Sequence, residues 1–400
     1  MSTSVQTDRA TIDEAKIASL RAELPAVQAQ RYLNTGTNGP LPRRAHDAII
    51  AAATREFQAG RIGGNTWEEI GATQDRARAA LATLLGCAPE EIALTHNTTE
   101  GMNIALLGVD WQPGDEVITS SLEHPGGLYP VYLAHQRFGA RIRMTRIGQP
   151  NGDPVAELRA ALTGRTRAVV LSHVSWASGM VLPLRELADL VHDAGALFIC
   201  DAAQGAGMVP APVYELGVDA YACSGQKWLC GPDGTGALFV RRDRLGDIRQ
   251  SAMGYASVQH GMSDYDGHFV PPSNASRYEA ATLYPPSVAG LAAGLDWLAG
   301  DIGWDWVYAR IAALGQYCYE QLAALPGVTV FTPREAMAGL VHFTVAGIAP
   351  ADLTACLAAR NLIIRHTPDP AYNRVSTGFY NTEAEIDELA AELGEITGGQ

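Results

Sequence analysis

The chain has 400 residues, 47% apolar and 18% charged, and 43 acidic against 29 basic residues leave a formal charge of −14. That much apolar chain excludes disorder as the main state and is enough for more than one core. The acidic balance, with no basic stripe, argues against a nucleic-acid binder. No apolar run reaches about 18 residues, so no membrane span is expected. Six cysteines without a CxxC pair fit neither a disulfide nor a zinc framework, and a reduced, cytoplasmic protein is expected.

The opening segment, MSTSVQTDRATIDEAK, carries Asp8, Asp13 and Glu14 and no apolar run, so it does not read as a signal peptide. From about residue 90 to 240 strands and helices alternate. The predicted strands are EIALTH (91–96), DEVITSS (115–121), RAVVLSHV (167–174), ALFICDAA (196–203), AYACSG (220–225) and GALFVRR (236–242). Between two of them, LRELADLVHDAG (184–195) is amphipathic, with Leu184, Leu187, Ala188 and Val191 on one face and Gly195 at its end. Apolar strands separated by helices predict an α/β fold with a mainly parallel sheet covered on both faces, whose ligands bind at the carboxyl ends of the strands. Residues 250–286, rich in Gly, Ser, Pro and Tyr, predict a long loop that is functional or mobile. A helical stretch (290–325) follows. An α+β tail then ends in a helix opened by a Thr382-x-x-Glu385 capping box, with Ile386, Leu389, Ala390 and Leu393 on its core face. The expected organisation is a large domain over 31–285 and a smaller one over 286–400, joined by the N-terminal segment 1–30.

Only two of the basic residues are lysines, Lys16 and Lys227. Lys16 lies in a polar segment expected to be an exposed helix or tail. Lys227, in Ser224-Gly-Gln-Lys, directly follows a predicted strand and precedes a Gly-rich run (231–236). An amine there is either a surface lysine in a turn or one that forms a Schiff base with a carbonyl, as pyridoxal phosphate requires. Asp201, closing the strand ALFIC and opening Asp-Ala-Ala-Gln204, is either a helix cap or a carboxylate that keeps a pyridine nitrogen protonated; Gln204 could donate to a phenolic oxygen. The run Thr95-His-Asn-Thr-Thr-Glu-Gly101, at a helix start, suits a phosphate or an ordinary N-cap. His124, in Glu-His-Pro after a strand, can stack on a flat ring and move protons. No GxGxxG follows a strand, and no Walker A, GxSxG or HExxH motif occurs; no metal site is expected.

Taken together, T-x-x-T-T-E-G (95–101), E-H (123–124), S-H-V-S-x-x-x-G (172–179), D-A-A-Q (201–204), S-G-x-K (224–227) and R-x-S-x-x-x-Y-N-T (374–382) resemble the class V aminotransferases over roughly residues 30–395. These are fold-type I pyridoxal-phosphate enzymes that include cysteine desulfurases, isopenicillin N epimerase-like proteins and cystine C–S lyases. The resemblance implies pyridoxal 5'-phosphate bound covalently to Lys227, which also serves as catalytic acid and base. It further implies Asp201 on the pyridinium, Gln204 on the phenolate, and Thr98, Thr99, Ser224 and Gln226 on the phosphate. His124 would stack on the ring. Thr282 would reach the neighbouring subunit's phosphate in a homodimer, and Arg374, assisted by Arg365, would clamp the substrate α-carboxylate.

Two departures from the desulfurase pattern bear on the reaction. Desulfurases carry a persulfide-forming cysteine just before the carboxylate-binding arginine, whereas 365–373 here contains none. Cys87, Cys200, Cys223, Cys318 and Cys356 fall in core-like segments, and Cys230 reads as apolar packing. Trp176 stands where desulfurases place an asparagine, a variant closer to the cystine lyase and epimerase branch. The expected reaction is α,β-elimination from a cysteine-derived amino acid such as cystine, a cysteine conjugate or a sulfoxide. Epimerisation and transamination begin with the same proton removal. A non-catalytic scaffold would need neither Lys227 nor Asp201.

Overall fold

Alternation along short apolar runs decides the architecture. In the computed structural model, which describes residues 14–398, the strands in chain order are β1 (Arg31–Tyr32), β2 (Ile92–Thr95), β3 (Glu116–Ser120), β4 (Arg141–Thr145), β5 (Thr166–Ser172), β6 (Leu197–Asp201), β7 (Ala220–Ser224), β8 (Gly236–Val240), β9 (Val328–Val330), β10 (Leu340–Val345), β11 (Leu362–Ile363), β12 (Arg365–Pro368) and β13 (Ala371–Ser376). Residues 1–13, which include most of the expected leaderless opening and part of the expected N-terminal segment, lie outside the described residues.

Seven strands form the central sheet in the order β2-β8-β7-β6-β5-β3-β4, and β8 alone runs antiparallel to its neighbours. Successive side chains of a strand point to opposite faces. Phe198 and Cys200 of β6 and Tyr221 and Cys223 of β7 enter one core, with the helix Leu184–Asp193. Leu197, Ile199, Ala220 and Ala222 enter the other, with Met102, Ile104, Ala105 and Leu106 of the helix Thr98–Leu107. The expected mainly parallel sheet, buried on both faces, is what the chain forms. The strand that sequence reading does not register is β4. It is an edge strand whose Arg141 and Arg143 interrupt the apolar run and whose surface is partly exposed.

A second sheet, β12-β13-β10-β9, is antiparallel. It packs with Leu314, Cys318 and Leu322 of the helix Trp304–Ala323 and with Ile386, Leu389 and Leu393 of the last helix. That helix opens on the expected reciprocal box: Glu385 N–H donates to Thr382 Oγ1 at 3.3 Å and Thr382 N–H to Glu385 Oε2 at 3.2 Å. Residues 14–32 are tied to these C-terminal elements. β1 pairs in parallel with β11, and Arg21 donates to Tyr380 O and Glu385 Oε1. Lys16 departs from its expected exposure: its Nζ donates to Ile302 O at 2.7 Å and lies 4.5 Å from the centroid of the Trp306 ring. The amphipathic stem covers apolar surface while the ammonium bonds the Ile302 carbonyl.

Candidate active site

The polar groups gather past the carboxyl ends of β2, β3, β5, β6 and β7, where the second sheet closes over them. A cavity of about 460 Å³ there is lined by Thr98, Thr99, His124, Trp176, Asp201, Gln204, Ser224, Gln226, Lys227, Arg365 and Arg374, together with Gly36, Thr37, Asn97 and Ala203. Ten of the sequence-predicted site residues therefore share one cavity. Thr282 does not: it is exposed, and its hydroxyl bonds Tyr255 Oη at 2.5 Å.

Lys227 is presented by the loop joining two antiparallel strands. Ser224 of β7 pairs with Gly236 of β8, so residues 225–235 form a loop closed at its base. Gly225 N–H donates to Thr235 O, and Gly231 N–H to Gly225 O, both at 2.8 Å. Gly39 N–H donates to Gln226 O at 2.7 Å and pins the loop from the other side. There is no room for a side chain at 39, since a Cβ would stand 2.2 Å from Lys227 O. The Lys227 side chain keeps part of its surface open to the cavity while protein encloses the rest. Burial, with the Arg374 and Arg365 charges adding to it and Asp201 opposing, pulls the ammonium down to about 8. In coenzyme-free protein the rate of pyridoxal-phosphate capture is accordingly expected to rise about tenfold per pH unit and level off near pH 8. Stopped-flow absorbance checks this; a rise continuing to the ordinary lysine value of 10.5 would contradict it.

Asp201 ends β6 and is buried. One oxygen, Oδ1, accepts from Ala203 N–H at 2.9 Å. The other abuts Gly127, where a Cβ would meet Oδ2 at 2.9 Å. Burial raises this carboxyl, while Lys227 and the Ala203 amide act in the opposite direction. Gln204 accepts from Trp228 Nε1 and donates one amide hydrogen to Gly36 O, both at 2.8 Å; its NH₂ group has a second donor.

The helix Thr98–Leu107 points its N-terminus at the cavity, capped by Asn97, whose side chain accepts from Glu100 N–H. Ser224 Oγ lies 2.9 Å from Thr98 N and 2.7 Å from Thr98 Oγ1, so hydroxyls and helix amides converge as an anion requires. His124 accepts from Gly126 N–H on Nδ1 at 3.0 Å, which places the proton of the neutral ring on Nε2. Burial, then the charges of Lys227, Arg365 and Arg374, lower this imidazole to about 4, so it is neutral near pH 7. The Trp176 ring stands edge-on to it, with centroids 5.0 Å apart.

Across the cavity, Arg374 of β13 is fully buried and Arg365 of β12 is its cross-strand neighbour. Both donate to Thr37 Oγ1, at 3.3 and 3.2 Å, and Arg374 Nε has no partner among the described residues. Burial and the like charge of Arg365 pull Arg374 down to about 9, the signature of a buried cation awaiting an anion.

The donor set fits pyridoxal phosphate. Lys227 is the amine, Asp201 has an oxygen facing a residue without a side chain, and the Thr98 helix with Ser224 suits a phosphate. No group of three or more His, Cys, Asp or Glu side chains placed to hold a metal is found among the described residues.

Sequence reading misses Thr37 and Gly36 and includes Asn97 only as part of the Thr95–Gly101 run. The first two belong to the loop after β1 and reach the site only through the tertiary fold. It also gives no role to Glu123. This buried carboxyl, pushed up to about 8 by burial and further by Asp201 against the opposing effect of Ser172, bonds the Ser172 hydroxyl and accepts its N–H at 3.0 Å. It thereby ties the end of β3 to that of β5.

A sheet of this topology with a lysine loop and a strand-end aspartate at its carboxyl edge defines the fold-type I pyridoxal-phosphate enzymes. The aminotransferase class-V family model matches residues 32–389, and the chain belongs to that family. Cysteine desulfurase CsdA of Escherichia coli is 31% identical, with 93% of this chain and 95% of that protein covered. A probable cysteine desulfurase of Halobacterium salinarum is 30% identical, covering 97% and 98%. Among solved structures, the cystine C–S lyase C-DES in complex with its reaction product cysteine persulfide matches with a TM-score of 0.88 at 31% identity, covering 93% of this chain and 99% of that one. A C-DES variant with glycine covalently linked to its pyridoxal-phosphate cofactor matches with a TM-score of 0.89, again at 31% identity, over 94% and 99%. The protein is a pyridoxal-phosphate enzyme of the class V family.

Proposed function

We propose that the protein cleaves a Cβ–S bond of a cysteine-derived amino acid such as cystine by α,β-elimination, without a cysteine relay. The observation that carries this reading is the content of the cavity: one half-buried amine and two guanidiniums, and no thiol. The cysteines are free, and all but Cys87 and Cys356 are buried. Burial pushes the thiols of Cys223, Cys230 and Cys318 up to about 12, far from the thiolate that a persulfide relay needs.

In this mechanism Thr98, Thr99, Ser224 and Gln226 would hold the phosphate, Asp201 the pyridinium and Gln204 the phenolate, and His124 would face the ring. The coenzyme, when bound, supplies the electron sink for the α-carbon. Arg374, with Arg365 beside it, holds the substrate α-carboxylate and orients the Cα–H bond. Lys227 removes the α-proton. The Cβ–S bond then breaks, sulfur leaves with the bonding pair as a persulfide anion, and the released aminoacrylate hydrolyses to pyruvate and ammonia. Such a leaving group requires no protein nucleophile. Thr282 is assigned to the partner subunit's phosphate in a homodimer, which accounts for its position outside its own cavity.

The test incubates holoenzyme with cystine and no added keto acid. Pyruvate and a thiol-reactive persulfide are expected in equal amounts, and mass spectrometry after turnover should find all six cysteines without added sulfur. Exchange of the α-proton without pyruvate would favour epimerisation, and a protein-bound persulfide would overturn the relay-free reading.

A further inference from the structure

We propose that His342 is a positioning residue that holds Trp176, and through it His124, in register with Arg374; the proposal rests on the reading of Arg374 as the carboxylate site. His342 lies on β10 of the second sheet and is fully buried. Its Nε2 donates to the backbone carbonyl of Trp176 at 2.8 Å. Its backbone N–H donates to Thr332 Oγ1 at 2.8 Å, and Tyr372 of β13 packs edge-on to its ring. His342 is also the direct cross-strand partner of Arg374. Its side chain therefore bonds the loop that carries Trp176, while its strand pairs with the strand that carries Arg374.

The loop it reaches is otherwise tied to the second sheet by few bonds. Ser175 N–H donates to Met180 O within the loop, Ser178 Oγ donates to Gly148 O, and among the described residues only Val181 N–H to Ala336 O and a Met180–Met337 bridge reach the segment leading into β10. Trp176 sits at the apex of this loop, lines the cavity and meets the His124 ring edge-on. The imidazole stays neutral, because burial and the adjacent Arg374 lower it to about 3. A neutral Nε2–H donor is fixed toward the carbonyl at every working pH. A cationic histidine beside Arg374 would oppose the guanidinium, so the arrangement couples the arginine's strand to the tryptophan's loop without adding charge.

The test compares H342L, which loses the donor, with H342Q, whose amide nitrogen can take the place of Nε2. Holoenzyme is titrated with glycine, which has an α-amine and a carboxylate and no side chain, and coenzyme absorbance is read. H342L should bind glycine about tenfold more weakly, while H342Q stays within about threefold of the parent. In coenzyme-free protein, amide exchange over 174–181 should accelerate in H342L and not in H342Q. Should H342L fail to fold, H342N, too short to reach the carbonyl, replaces it. Parent-like glycine affinity and exchange in H342L or H342N, or equal impairment in H342Q, would overturn the proposal. No glycine response in the parent would instead overturn the carboxylate reading, and the exchange rates would then decide the tether alone.

Discussion

Replacing Lys227 by alanine is expected to abolish turnover, with kcat lower by at least about 10⁴-fold, and to leave pyridoxal phosphate removable by dialysis. The substitution removes both the covalent anchor and the base. Lys16 cannot stand in, since its ammonium is committed to Ile302 O and the Trp306 face. The fold should tolerate the change, because Lys227 donates no hydrogen bond that holds its loop; backbone bonds of Gly225, Cys230, Gly231 and Gly39 do that. Dialysis followed by absorbance and a pyruvate assay checks both halves of the expectation. Retention of more than about a hundredth of the parent kcat would contradict the role of base.

Arg374→Ala is expected to lower kcat/KM by about 10²–10³-fold, mostly through KM, because a buried carboxylate would lose its charged partner. Stability should change little. Among the described residues the buried guanidinium has Thr37 Oγ1 as its one side-chain hydrogen-bond partner, so its removal relieves an uncompensated charge while leaving a void. Arg365→Ala should cost less than about tenfold, since Arg365 is only half-buried and its charge is screened by solvent. Steady-state kinetics with cystine distinguish the two. Equal effects of both substitutions would make the arginines a shared anion clamp, and no effect at Arg374 would remove the carboxylate assignment.

Sequence reading carried furthest where a segment is buried on both sides. β6 through β8 are apolar at nearly every position because helices cover both sheet faces, and chemistry-bearing residues placed at or directly after their ends fall at the carboxyl edge of the sheet. That is why Asp201, Ser224 and Lys227 are visible as candidates. β4 escapes because an edge strand needs no continuous apolar run, and Arg141 and Arg143 look like loop residues. Thr37 and His342 escape for another reason. Thr37 lies in a segment without periodicity, and His342, between Val341 and Phe343, sits in a strand whose apolar neighbours advertise core. Only the tertiary fold brings Thr37 to the cavity and sets His342 behind Trp176. The environment of Lys16 escapes as well, because a polar helix gives no hint that Trp306, some 290 residues on, covers its lysine stem.

The two-lysine chain makes the central assignment directly measurable. Borohydride reduction of holoenzyme, followed by proteolysis and mass spectrometry, should find the pyridoxyl group on the peptide containing Lys227 and on no other. A pyridoxyl group on the Lys16 peptide, or none anywhere, would contradict the assignment from which the mechanism follows.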